Sequence, residues 1–295
     1  MNITTFKTLV LREYWENKSL SLAPIIIASV VLFAMIIGMF SAQSFIFSMG
    51  DASISFQNEL NAVSEENLAE MKNAMLGFQY GVLLGPLTIG LIFVLFFYAL
   101  GSLYNDRRDR SILFWKSMPV SDTQTVLSKV FSAFVVAPSI TASVAVILQI
   151  AGLCILTIMA WINGVSAWGL VWSQSSLPIV IFNDFVSLIL LSLWMAPILG
   201  WLWLVSAYAK KGAFLIAVFV PLGVILVEAL VLGSAHFAQI IGDHFAQLEY
   251  LGESMVKLGH PFGVFKSTGF WVGIVIAVAC IAGAIYIRRY RDDSY

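Results

Sequence analysis

The sequence predicts an all-α integral membrane protein with six transmembrane helices in a single transmembrane domain. Its 295 residues are 60% hydrophobic and only 11% charged, and the mean hydropathy is +0.90. A water-soluble domain of this length is far more polar. A helix that crosses the bilayer needs about 20 apolar residues, and six segments meet that length. The predicted spans are residues 20–47, 76–104, 126–161, 185–208, 213–235 and 269–287.

The segment before the first span predicts a helix that lies on the membrane surface. Apolar residues recur there at helical spacing with charged residues between them, at Ile3, Phe6, Leu9, Val10 and Tyr14. This pattern is typical of an interfacial amphipathic helix. It fits a simple anchor and a regulatory element equally well. The charge-free run that follows is much longer than the apolar core of a signal peptide, so we expect it to be retained as a span.

The distribution of basic residues predicts the orientation of the spans. Of the 16 Lys and Arg residues, all but Lys72, Lys257 and Lys266 lie on the side of the membrane that carries the two termini. Basic residues concentrate on the cytoplasmic side of membrane proteins. We therefore expect both termini and the loop 105–125 in the cytoplasm. The segments 51–73, 162–184 and 236–268 are expected outside.

Several classes of function have no support in the sequence. Cys154 and Cys280 both lie within apolar runs, which provides neither a disulfide framework nor a zinc site. No lysine follows a glycine, so the phosphate-binding Gly-Lys pair of a P-loop is missing. No zinc-protease or nucleophile-elbow motif is present either. We expect no enzyme activity, no cofactor in this chain and no nucleic-acid binding.

The loop after the second span combines charge with apolar residues. Five consecutive charged residues, Asp106 to Arg110, are followed by Ser111 and then by the apolar residues Ile112, Leu113, Phe114 and Trp115. Such a loop offers a partner both a charged rim and an apolar anchor. A loop that only fixes topology needs Arg and Lys but no exposed apolar cluster. The residues predicted to dock a partner are Arg107, Arg110, Ser111, Ile112, Leu113, Phe114, Trp115 and Lys116.

Local signals in this loop predict two helix boundaries. Ser111 is a suitable N-cap for a short helix, and Pro119 ends that helix. Ser121 with Gln124 resembles a capping box at the start of the third span.

The loop sequence and the six spans together resemble the type-2 class of ABC-exporter permeases. In that family the loop runs acidic-Arg-acidic-x-Gly-Thr, then an apolar helix, then Leu-Pro-Val-Ser and Leu-Gly-Lys. The matching positions here are Asp106, Arg107, Ser111, Pro119, Val120, Ser121 and Lys129. Arg110 stands where the family often has the first Gly, and Ser128 replaces the second. The topology covers nearly the whole chain, whereas the motif covers only residues 106–129.

The resemblance implies a partner and a mechanism. Ser111 to Met118 would form a coupling helix that inserts into a separate ATPase subunit. Two copies of that subunit, which bind ATP and Mg²⁺, would assemble with two permease chains, expected to be a homodimer, in a bacterial cytoplasmic membrane. The charge-poor spans favour export of an apolar or amphipathic substrate such as a lipid, peptide or drug-like molecule, although they would also pass a neutral sugar chain.

Two features inside the predicted spans are candidate sites. Glu228 lies in the fifth span, where a carboxylate marks a pathway or a polar partner such as Gln149. A proton relay at Glu228 would make the chain a proton-coupled secondary transporter, which is the alternative function. The stripe Gly77, Gly81 and Gly85 predicts close helix packing, at a homodimer seam or within one chain. The spacing of the outer histidines, His236, His244 and His260, matches no pattern of metal ligands.

Overall fold

A computed structural model of the chain describes residues 3–41, 47–49, 52–54, 65–109, 120–162, 168–246 and 261–290. These residues are helical apart from irregular links and two short strands, β1 (Phe47–Met49) and β2 (Ala52–Ile54), which pair antiparallel. Six helices are long and apolar enough to cross a membrane. The predicted multi-pass helical membrane fold is thereby confirmed.

The helices follow the predicted order with several changes at their ends. They are α1 (Ile3–Glu16), α2 (Ser19–Ser41), α3 (Glu65–Gly77), α4 (Gly85–Arg108), α5 (Asp122–Phe131), α6 (Ala137–Ile162), α7 (Leu177–Trp194), α8 (Ala196–Tyr208), α9 (Ala213–Val227), α10 (His236–Ala246) and α11 (Thr268–Tyr290). The described residues also include four π-helical segments, namely π1 (Phe78–Leu84), π2 (Ser132–Val136), π3 (Trp168–Trp172) and π4 (Glu228–Leu232). A 3₁₀ helix, Pro261–Lys266, precedes α11. The described part of the first span reaches Ser41, and Phe47, its predicted last residue, lies in β1.

The fourth predicted span consists of two helices. Helix α7 begins at Leu177, well before the predicted start at residue 185, and α8 follows after Met195. Pro197 lies in the first turn of α8, where its missing N–H costs little. Within one continuous helix the same proline would remove an internal hydrogen bond, so it favours a break between α7 and α8. The polar residues Asn183 and Asp184, which the prediction left outside the span, are buried within α7.

The centre of the bundle is formed by α4, α6, α7 and α8. Helix α11 packs along α8, and α2 packs against α6 and α4. Half of the α7 span is buried, whereas only 6% of the span formed by α9 and π4 is buried. The fifth span is consequently an apolar helix on the outside of the described bundle.

Within the described chain, close helix packing occurs between α8 and α11. A Cβ at Gly200 would lie 2.9 Å from the Cα of Ala277, whereas a Cβ at Gly77 would meet no atom within 4 Å. The neighbour of Gly85 is a carbonyl of its own helix, Tyr80 O. Segment π1 separates Gly77 from Gly85, and its wider turns shift residues spaced by four off a common face.

Candidate functional site

Charged side chains from four helices meet at one end of the bundle. We call Glu13, Asp106, Asp122, Lys129 and Arg288 the ionic cluster. Lys129 Nζ lies 2.9 Å from Glu13 Oε1 and 3.5 Å from Asp106 Oδ2. Arg288 Nη1 lies 3.1 Å from Asp106 Oδ2, and its Nε lies 3.1 Å from Asp122 Oδ1. The cluster joins α1, α4, α5 and α11, so the first and last helices reach the same end of the bundle.

Both carboxylate oxygens of Glu13 are paired. Its Oε2 accepts a hydrogen bond of 3.1 Å from Tyr98 Oη, and Arg12 Nη2 donates to its Oε1 at 2.6 Å. Burial alone would raise the pKa of the Glu13 carboxyl, but the ion pairs with Lys129 and Arg12 outweigh burial and hold the pKa below its ordinary value. Helix α1 is therefore fixed to the bundle by charge, while Ile3, Leu11 and Trp15 remain exposed.

Arg107 makes contacts inside the bundle. Its Nη2 donates to Ser206 O at 2.5 Å and to Ala209 O at 2.9 Å, at the C-terminus of α8. The hydroxyl of Ser206 in turn accepts hydrogen bonds from the backbone N–H groups of Leu103 and Tyr104. Arg107 thus joins the end of α4 to the end of α8, which the sequence-based assignment to a docking rim did not anticipate.

The other residues predicted to dock a partner, Arg110 to Lys116, lie outside the described residues. The described chain resumes at Val120, and Ser121 is the N-cap of α5 as predicted, since its Oγ accepts from Gln124 N at 3.2 Å. Asp106 and Lys129 lie on opposite sides of this loop, and both belong to the ionic cluster. Both ends of the loop are therefore anchored to the same group of charges.

Glu228 holds the start of the next helix. Its Oε1 accepts from Ser234 Oγ at 2.8 Å and from His236 N at 2.7 Å, and its Oε2 accepts from Phe237 N at 2.9 Å. These are the backbone donors that a helix N-terminus leaves unpaired, and a carboxylate there is favoured by the helix dipole. Glu228 therefore caps α10. Gln149, which the sequence analysis named as an example of a polar partner for Glu228, instead donates to Asp184.

Gln149 pairs with Asp184, a residue that the sequence analysis did not select. Gln149 Nε2 on α6 donates to Asp184 Oδ2 on α7 at 2.8 Å, and both residues have 0% exposure. The available signal was the position of Asp184 inside an apolar stretch that begins at Leu177. The sequence analysis assigned residues 162–184 to an outer segment. It therefore did not identify Asp184 as a carboxylate buried between α6 and α7.

Further buried polar groups lie where π1, α6 and α7 meet. Asn183 Nδ2 lies 3.5 Å from Tyr80 Oη, and Gln79 Nε2 donates to Ser175 O at 3.1 Å. Four buried atoms in this region have no hydrogen-bond partner among the described residues: Gln79 Oε1, Gln149 Oε1, Asp184 Oδ1 and Ser187 Oγ. Unpaired buried polar atoms are uncommon and call for an explanation. Segments of π-helix occur frequently at functional sites.

The outer histidines do not converge in the described part of the chain. The His244 ring stacks on Trp194 with ring centroids 4.2 Å apart, and its Nε2 lies 3.1 Å from Trp194 O. Burial lowers the pKa of His244 below its ordinary value. His236 instead lies beside Glu228, and His260 is outside the described residues. Among the residues that the structure describes, no three His, Cys, Asp or Glu side chains are grouped to hold a metal ion.

Comparison with protein-family models, curated proteins and solved structures finds no match for this chain. The resemblance to ABC-exporter permeases therefore depends on the topology and on the motif between Asp106 and Lys129.

Proposed function

We propose that this chain is the membrane-spanning permease subunit of an ATP-driven ABC exporter. It works with a separate ATPase subunit, present in two copies, and with a second copy of itself in a bacterial cytoplasmic membrane. ATP and Mg²⁺ bind to the partner. Both termini and the loop 105–125 face the cytoplasm.

The anchoring of both ends of the docking loop is the observation that carries this proposal. Asp106 precedes the loop and Lys129 follows it, yet their side chains lie 3.5 Å apart. The same two residues pair with Arg288 on α11 and with Glu13 on α1. Breaking a buried ion pair by removing one partner costs about 3 to 5 kcal/mol. A force applied to the loop therefore moves α4, α5, α1 and α11 together, as rigid-body coupling to an ATPase requires.

The apolar residues of the loop supply the contact with the ATPase in this proposal. Ser111 to Met118 forms the coupling helix, and Phe114 and Trp115 fill a groove on the partner. Aromatic anchors of this kind contribute much of the free energy of binding at protein interfaces. Closure of the two ATPase subunits on ATP then moves the coupling helices, and the path between the permease chains alternates between inward and outward access.

The charge content of the spans supports an apolar or amphipathic cargo. Between the charged ends of the described spans there is no Lys or Arg, and the acidic residues are Asp184 and Glu228. Asp184 is fully buried and Glu228 caps α10. The spans therefore offer few fixed charges that would hold a hydrophilic ion.

The test is a double substitution in the loop, Phe114→Ala with Trp115→Ala. If each truncation costs about 2 kcal/mol of binding, the ATPase subunit is lost on co-purification or its activity no longer responds to substrate. The matched control is Trp161→Ala with Trp168→Ala, because these side chains are 69% and 76% exposed and are expected on the outer side. Unchanged co-purification and unchanged ATPase coupling in the loop variant would contradict the proposal.

The proposed orientation is tested by chemical labelling. Single cysteines are introduced at Ser64, Ser254 or Ser294 after replacement of Cys154 and Cys280. An impermeant thiol reagent added to intact spheroplasts is expected to label the first two positions. Labelling at position 294 would show that the C-terminus lies outside and would contradict the proposed orientation.

The alternative, a proton-coupled secondary transporter with Glu228 as the relay, now has a weaker basis. The Glu228 carboxylate accepts three hydrogen bonds at the start of α10, which accounts for its presence structurally. In proteoliposomes, transport driven by a pH gradient without ATP and without an ATPase subunit would favour this alternative.

A further inference from the structure

We propose that Asp184 and Gln149 form a proton-binding site inside the helix bundle. In the resting state Asp184 carries a proton on Oδ1, and this proton is donated to Gln149 Oε1. The ligand is H⁺ itself, and its release to water couples to the separation of α6 from α7. This site is independent of the proposed docking of an ATPase and is tested without one.

Without a proton on Asp184, the two side chains can form only one of the two hydrogen bonds that a paired acid and amide can make. Gln149 Nε2 donates to Asp184 Oδ2 at 2.8 Å. The remaining oxygens of the two groups, Gln149 Oε1 and Asp184 Oδ1, are both buried and have no partner among the described residues. Both are acceptors if the carboxylate is ionised. A proton on Oδ1 converts it to a donor, so that acid and amide close a cyclic pair with two hydrogen bonds and neither oxygen is left unpaired.

The described side chains around Asp184 provide no positive charge that would stabilise an ionised carboxylate. Asp184 is fully buried, and its hydrogen-bond donor among the described residues is a neutral amide. An isolated carboxylate in a low-dielectric interior is so costly that the group takes up a proton instead. The ionic cluster shows the contrast, because Glu13 is equally buried but lies 2.9 Å from Lys129 Nζ.

Few ionisable groups on the helices around Asp184 influence the site. The phenol of Tyr80 on π1 lies beside Asn183, the neighbour of Asp184 in α7. Helix α6 carries the exposed Cys154, α11 carries Cys280, and the 3₁₀ helix carries the exposed Lys266. The packed parts of α4, α8 and π2 contribute no other charged residue, since the charges of α4 and α11 lie at their ends in the ionic cluster or beside it. Among these described elements, no charged side chain therefore forms an ion pair with Asp184.

Loss of the proton changes the contact between α6 and α7. In the ionised state Asp184 Oδ1 and Gln149 Oε1 would both be acceptors, and no hydrogen bond could form between them. The carboxylate would then need a hydrogen bond from water, which the closed contact between the helices excludes. Deprotonation therefore favours an arrangement in which the two helices part and water enters. In a transporter, this makes access to water at α6 and α7 dependent on pH.

The test measures thermal unfolding of the purified chain in nanodiscs between about pH 5 and about pH 8. The key variant is Asp184→Asn, whose amide reproduces both hydrogen bonds of the protonated acid but cannot ionise. Asp184 keeps its proton in the folded wild type, whereas the unfolded chain releases it above about pH 4, so the contribution of Asp184 to stability falls as pH rises. His244, whose pKa is lowered by burial, contributes equally to wild type and variant. The unfolding midpoint of the variant is expected to exceed that of wild type by an amount that increases with pH and reaches about 3 °C at the alkaline end.

Two controls make the result specific. Glu228→Gln is expected to keep the pH dependence of the wild type, because it leaves Asp184 and Gln149 unchanged. Replacement of choline by Na⁺ at constant ionic strength is expected to have no effect at fixed pH. An infrared carbonyl band of a protonated carboxylic acid, present in wild type and missing in Asp184→Asn, reports the proton directly.

Three outcomes would overturn the proposal. One is a constant difference in midpoint between wild type and Asp184→Asn across the pH range, together with no assignable infrared band. Another is a response of wild type to Na⁺ that the variant lacks, which would assign the site to an alkali-metal ion. Failure of Asp184→Asn to fold would also contradict it, because the variant mimics the proposed resting state.

Discussion

Lys129 and Glu13 form a buried ion pair that joins the N-terminal helix to the start of the third span. Lys129 Nζ lies 2.9 Å from Glu13 Oε1, and the side chains are 2% and 0% exposed. Because Lys129 also contacts Asp106, the pair connects the amphipathic helix α1 to both ends of the loop proposed to dock an ATPase. Helix α1 thus belongs to the same structural unit as the two residues that flank the loop, Asp106 and Lys129.

Lys129→Met is expected to destabilise the protein by about 3 kcal/mol, because Glu13 and Asp106 lose a buried counter-charge. The double variant Lys129→Met with Glu13→Gln removes the uncompensated charge and is expected to recover part of this loss. Chemical or thermal unfolding in detergent measures both. A double variant less stable than Lys129→Met alone would show that the two residues do not act as a pair.

Acid is expected to weaken the contact of α1 with the bundle. The pKa of Glu13 is held below its ordinary value in the folded protein. The pair therefore contributes its full stability above the unfolded pKa of about 4.3 and loses it as pH falls through the lower folded pKa. At pH values below about 4.3, unfolding midpoints should fall more steeply with acid for wild type than for Glu13→Gln. Parallel curves would contradict the assignment.

Arg107→Ala is expected to cost about 1.5 kcal/mol, because two carbonyls at the end of α8 lose a charged donor. The neighbouring Arg108→Ala is the matched control, since Arg108 is 60% exposed and pairs with an equally exposed Asp109. Exposed ion pairs contribute little. Equal stability of the two variants would show that the hydrogen bonds of Arg107 contribute no more than an exposed ion pair does.

Glu228→Ala is expected to loosen the start of α10, because three donors lose their acceptor. Hydrogen exchange followed by mass spectrometry should show faster exchange of the amides of His236 and Phe237, while α11 stays unchanged. Ser234→Ala removes one of the three bonds and serves as the milder control. Unaltered exchange at both amides would refute the capping role.

Gly200→Ala and Gly77→Ala are expected to have opposite effects on stability. An added Cβ at Gly200 would lie 2.9 Å from Ala277 Cα, so α8 and α11 must move apart at a cost of about 1 to 3 kcal/mol. Gly77 has open space and α-helical backbone angles, so alanine there should stabilise by about 0.5 to 1 kcal/mol. Unfolding measurements in the same detergent compare the two. Destabilisation by Gly77→Ala would instead indicate that another helix packs closely at the predicted glycine stripe.

The presence of six apolar helices of membrane-spanning length could be predicted from the sequence because the bilayer imposes a local requirement. Each span needs about 20 apolar residues in a row, and that property is visible without any knowledge of partners. The N-cap at Ser121 was equally predictable, since a cap depends on residues three positions apart. The bounds were less secure where a polar residue is paired inside the bundle, as at Asp184 in α7.

The pairing of polar residues was decided by the tertiary structure alone. Arg288 and Asp106 are 182 positions apart, and no local pattern connects them. Glu228 and Asp184 are both carboxylates in apolar stretches, yet one caps a helix through backbone donors and the other meets an amide from a neighbouring span. The sequence determines which residues are costly to bury. Which groups offset that cost depends on how the helices pack, because hydrogen bonds and ion pairs act only over a few ångströms.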